Sequence, residues 1–151
     1  MCKSVTILGI ALVTVLAQAA YGQDASRRDQ LRSAVQGICP ISGERLGQHG
    51  PPIKVQVGKE TVFLCCQGCL KGQISPQHWA TIHANIARAQ TACPVMKKNL
   101  PANPRWTITE GQVVYICCPP CTDKIDAQPE MYLRQIDELY ATFLKTGQPR
   151  R

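Results

Sequence analysis

The sequence predicts an α+β chain of two small tandem lobes, each a Cys-Pro knuckle, a β-hairpin, a cysteine cluster and a C-terminal helix. Three observations predict it. The stretch "VFLCCQGC" at 62–69 returns as "VYICCPPC" at 114–121. A Cys-Pro pair precedes each copy, Cys39-Pro40 in one and Cys93-Pro94 in the other. Behind each cluster the apolar residues recur with helical spacing.

The strands come first. Ile53, Val55 and Val57 alternate with polar residues, and Trp106 and Ile108 do so in the second copy. That two-residue period predicts a half-buried strand. Gly58-Lys59 and Glu110-Gly111 then predict tight turns, with "TVFLCC" and "VVYICC" as the returning strands. The first helix is announced by Ser75 as N-cap and Pro76 at its first position. Trp79, Ile82, His83 and Ile86 fall on one face, where His83 reads as a core histidine. Pro129 starts the second helix, with Tyr132, Ile136, Leu139, Tyr140 and Phe143 as its apolar stripe. The lobes then occupy residues 38–91 and 92–144.

The flanks set the compartment. Residues 1–22 join Lys3, an apolar stretch and the small residues Ala17, Ala19, Ala20 and Gly22, the layout of a secretory signal peptide. The stretch is slightly short for a spanning helix of about 20 residues. An exported protein, periplasmic or secreted, with no stable membrane span after cleavage is therefore expected. Residues 23–37 form a leader or linker: either a short helix with Leu31, Ala34 and Val35 against the first lobe, or a flexible arm. Residues 145–151 are polar and basic and are expected to be a disordered tail.

Without Lys3 the chain keeps 16 basic and 10 acidic residues. In an exported protein this mild excess argues for solubility or an anionic surface, not for nucleic acid. Aromatics are 5% of residues, so two lobes this small have thin cores and need a staple.

Cys2 aside, the cysteines divide four and four: Cys39, Cys65, Cys66 and Cys69, then Cys93, Cys117, Cys118 and Cys121. Three chemistries are open to them. A metal site would join the knuckle cysteine to a pair four apart, Cys65 and Cys69 or Cys117 and Cys121, at the end of the hairpin. Neighbours on an extended chain face opposite sides, which would leave Cys66 and Cys118 as supports. The expected ligand sets are nonetheless Cys39, Cys65 and Cys69 with Cys66 as the fourth, and Cys93, Cys117 and Cys121 with Cys118 or Met96 completing them. Thiolate-rich sites favour Cu(I) and Zn(II). Met96, three residues after Cys93, and His49 are further donors in reach. A disulfide framework is the second chemistry, normal for an even cysteine count in an exported chain. Against it, three thiols within five residues make an inefficient staple. The third is a redox pair in "CQGC" or "CPPC", which lacks the βαβ context of such motifs. Haem attachment fails because Leu70 and Thr122 stand where histidine is required. The three histidines have no carboxylate at a telling spacing, so a binding protein is expected and not an enzyme.

Each copy resembles the YHS/TRASH group of small metal-binding domains, which look like treble-clef folds. Cys39, Phe63, Cys65 and Cys69 match the group's pattern of knuckle cysteine, aromatic-plus-cysteine and a second cysteine four on. Cys93, Tyr115, Cys117 and Cys121 repeat it, and "SPQHWATI" and "QPEMYLRQID" are similar to its helix. The resemblance covers residues 38 to about 90 and 92 to about 143. It implies heavy-metal trafficking or sensing, with a metal-efflux or metal-acceptor protein as partner. The interval from knuckle to cluster is longer than usual, and Cys66 and Cys118 are extra to the pattern.

Overall fold

The computed structural model describes residues 25–147; the expected signal peptide, the first residues of the leader and the last four of the tail lie outside the described residues. Residues 25–36 are helical (α1). Then come β1 (Ile53–Val57), β2 (Glu60–Leu64), a 3-10 turn (Gln67–Lys71) and α2 (Pro76–Gln90). The second copy supplies β3 (Arg105–Thr109), β4 (Gln112–Ile116), α3 (Cys121–Ala127) and α4 (Pro129–Thr146). The chain divides after Gln30 into two units, and the geometry below belongs to the second.

Both hairpins form where the turn chemistry places them. β1 pairs antiparallel with β2 from Ile53↔Leu64 to Val57↔Glu60, and β3 with β4 from Arg105↔Ile116 to Thr109↔Gln112. Two residues close each. Glu110 and Gly111 both take positive φ, 49° and 76°. That handedness suits the twist of the flanking strands.

The register corrects the strand pattern in the second copy. Trp106 pairs with Tyr115 as Lys54 pairs with Phe63, and Ile108 pairs with Val113 as Gln56 does with Thr61. Trp106 and Ile108 thus stand on the face that Lys54 and Gln56 occupy, one residue out of phase with Ile53 and Val55. A one-residue slip moves every side chain to the other face. Trp106 is 51% exposed as a result.

α2 begins as expected, with Ser75 accepting from the His78 N–H and Pro76 following it. In α4 the buried residues are Leu133, Ile136 and Tyr140. Leu133 lies outside the expected stripe, one turn before Ile136 on the same face. The helix runs through Thr146, two residues into the stretch expected to be a disordered tail. The 3-10 turn and α3, which catch the chain directly behind the clusters, were not foreseen.

The main core is built jointly. Val35, Ala89, Val114, Ile125, Leu133 and Tyr140 belong to one buried cluster drawn from α1, α2, β4, α3 and α4. Leu31 and Val35 therefore join this shared core and not the small thiol-rich cluster of the first lobe, and Ala34 is exposed. The first lobe keeps a small core of Leu64 with Cys39, Cys65 and Cys69. Three of those four buried members are thiols.

Polar contacts tie the copies together. The Thr61 N–H donates to the Gly111 oxygen at 2.8 Å, and Arg32 donates to that oxygen at 2.8 Å. His83 on α2 lies 3.0 Å through Nδ1 from the Tyr115 hydroxyl, which itself donates to the His83 carbonyl at 3.0 Å. Burial and the charge of Glu60 push the Tyr115 phenol up to about 12, so it stays protonated and donates. His83 Nε2 is 3.3 Å from the Glu60 carboxylate, without hydrogen-bond alignment. The rings of Trp79 and Trp106 approach His83 to 5.6 and 5.5 Å.

His83 is thus a partnered interior histidine, as expected. His83→Ala, which removes the ring's contacts with Tyr115, Trp79 and Trp106, is expected to lower the unfolding free energy by about 1–3 kcal/mol, read from denaturant midpoints at neutral pH.

Candidate metal centres

The two knuckles are the same loop built from different residues. Cys39 N–H donates to the Glu44 oxygen at 2.8 Å and Gly43 N–H returns to the Cys39 oxygen at 3.0 Å. Cys93 does the same with Lys98 at 2.9 Å and Lys97 at 2.8 Å. The turn aims backbone N–H groups at the sulfur. Burial alone would push the Cys39 thiol up. The N–H groups of Ser42, Cys65 and Ile41, with the Ser42 hydroxyl, outweigh that and hold it at about 6. Burial of Cys93 is likewise outweighed, by N–H groups of Met96, Cys117 and Val95. A knuckle thiol ionised near neutral pH is a ready ligand.

A buried glutamine fastens each knuckle to its hairpin. Gln36 accepts from Phe63 N–H at 2.9 Å and donates to the carbonyls of Phe63 at 2.7 Å and Ile38 at 2.8 Å. Gln90 repeats this on Tyr115 N–H at 2.9 Å, Tyr115 oxygen at 2.6 Å and Ala92 oxygen at 3.0 Å. The side-chain amide stands in for a missing third strand and satisfies the free edge of β2 or β4. It also sets Cys39 and Cys93 opposite the strand ends that carry Cys65 and Cys117. Sequence reasoning missed these two residues, although "QGICP" at 36–40 and "QTACP" at 90–94 place glutamine three before each knuckle cysteine.

The strand ends, the 3-10 turn and α3 complete the sites. The sulfurs of Cys39, Cys65 and Cys69 lie within 4.8 Å of one another, and so do those of Cys93, Cys117 and Cys121. Within them Cys65 and Cys69 are 3.7 Å apart, Cys93 and Cys121 3.7 Å, and Cys117 and Cys121 3.9 Å. Thiolates bound about 2.3 Å from one ion in a tetrahedron stand about 3.8 Å apart, so these donor sets fit a single thiophilic cation.

Cys66 and Cys118 flank the trios. Cys66 lies 3.9 Å from both Cys65 and Cys69; Cys118 lies 3.7 Å from Cys117 and 3.2 Å from Cys121. All eight of these cysteines are unbridged. Met96 is exposed, contributing its N–H to the Cys93 sulfur. His49 turns to Glu44, with Nε2 2.9 Å from the carboxylate. That carboxylate oxygen is 4.0 Å from Cys65 Sγ, and the Ser42 hydroxyl is 3.3 Å from the same sulfur.

The other four thiols of the two trios are pushed the opposite way. Burial, with the neighbouring thiols of Cys65, Cys39 and Cys66, pushes Cys69 up to about 12. Burial and the same kind of crowding raise Cys121 and Cys117. At Cys65 the Ser42 hydroxyl favours the thiolate, but burial and the thiols of Cys39 and Cys66 raise it overall. Each centre thus sets one thiol lowered toward ionisation beside two raised ones, a donor set whose protons a cation displaces.

No family model matches the chain, and no curated protein and no solved structure matches it either. Among the described residues no helix is long and apolar enough to cross a membrane.

Proposed function

We propose that the protein is an exported metal-binding and trafficking protein that holds one Cu(I) or Zn(II) ion in each trithiolate centre. The observation that carries this reading is the convergence of three sulfurs from separate elements, twice, at the spacing one thiophilic ion requires. The resemblance of both copies to YHS/TRASH domains agrees with it, as does a signal-peptide-like start. In this reading Cys66 and Cys118, beside the trios, are where an acceptor's thiol exchanges with the bound ion. An efflux or acceptor protein would be the partner, and the chain binds without catalysing.

A structural role is favoured by one observation, the thiol-rich core of the first lobe. Competition with a chelator separates the two. A carrier is expected to give up its ions to a high-affinity chelator while keeping its far-ultraviolet circular dichroism. A staple would lose both together, because its binding energy is folding energy.

A further inference from the structure

The two centres share a scaffold but not a donor set, and the difference lies in the knuckle loops. Cys66 and Cys118 occupy the same place in both, so they do not distinguish the sites. Ser42 and Glu44 in the first loop stand where Met96 and Lys98 stand in the second, as the matching backbone bonds of Cys39 and Cys93 show. We propose that the centres select different ions: the first takes Zn(II), with the Glu44 carboxylate as fourth ligand, and the second takes Cu(I) on three thiolates. This rests on the reading that both centres bind metal.

Geometry supports the first half. Zn(II) closes a tetrahedron with four ligands, and oxygen serves as well as sulfur. An oxygen ligand would lie about 3.5 Å from a neighbouring thiolate in such a site. The Glu44 oxygen is 4.0 Å from Cys65 Sγ, on a side chain 52% exposed that has room to turn toward the trio. His49, 2.9 Å from the same oxygen, orients the carboxylate as outer partners of ligands do.

Charge supports the second half. Three thiolates leave a net charge of −1 with Zn(II) and −2 with Cu(I). The loop Ser42–Arg45 is neutral overall, whereas Met96–Asn99 carries Lys97 and Lys98. Lys97 and Cys93 line the same open cleft, where Glu138 of α4 is the one acidic residue, and Lys98 adjoins it in sequence, so the loop's charge stays positive. Cationic surroundings favour the more negative complex. No carboxylate replaces Glu44 in that loop to serve as a hard fourth ligand, and soft sulfur donors suit Cu(I).

The test is an anaerobic titration of the apoprotein with Zn(II) alone, Cu(I) alone and both in equal amounts. Wild type is compared with Glu44→Gln and Lys98→Glu, both at exposed positions where folding is undisturbed. With both ions present, wild type is expected to hold one Zn(II) and one Cu(I) per chain. Glu44→Gln is expected to weaken Zn(II) binding by about 10–100-fold, and Lys98→Glu to weaken only Cu(I). One ion displacing the other from both centres, or Glu44→Gln weakening both alike, would overturn ion selection while leaving two metal centres. Failure to bind either ion would overturn the metal reading itself.

Discussion

Gln90→Leu is expected to remove most of the protein's stability. The residue is fully buried, and leucine fills similar space but leaves three backbone groups without partners: the N–H and carbonyl of Tyr115 and the carbonyl of Ala92. Each such orphan costs about 1–3 kcal/mol, so a loss of about 3–9 kcal/mol is expected. Against total stabilities of about 5–15 kcal/mol, that shifts the chain to the edge of unfolding. Urea denaturation measures it directly. The counterpart, Gln36→Leu, frees the first knuckle, which sits outside the main core. It is expected to cost the first ion while the second is retained.

Metal affinity is expected to rise steeply with pH. In the ion-free first centre Cys39 sits at about 6, while Cys65 and Cys69 are raised, Cys69 to about 12. Near neutral pH, binding an ion in the first centre therefore expels about two protons, and its apparent affinity grows about 100-fold per pH unit. The sign is fixed: raised thiols must lose protons to ligate, so acid favours the empty centre. Below pH 6 Cys39 is protonated as well and the dependence steepens to about three protons. Competition titrations between pH 6.5 and 8 would measure the slope. A pH-independent affinity would contradict this assignment of ligands.

Much of this was legible because it is local. Turn dipeptides fixed both hairpins, and Ser75-Pro76 and Pro129 fixed the two long helices. The spacing of Cys39, Cys65 and Cys69, and of their counterparts, pointed to the trios that form. What was hidden depends on partners distant in sequence. The outward turn of Trp106 follows from register against β4, which a short alternating run does not specify. The pairing of Gln36 and Gln90 with strand edges shows only once it is known that each hairpin has no third strand. The shared core, in which Val35 joins elements of the second copy, is a property of how the repeats pack and not of either repeat.

The most direct test of the two metal centres is elemental analysis of protein purified anaerobically from the exported fraction, with a free-thiol count after denaturation in chelator. About two ions per chain and eight titratable thiols on the mature protein are predicted. No metal and no free thiols would contradict the account, leaving the cysteines as a disulfide framework.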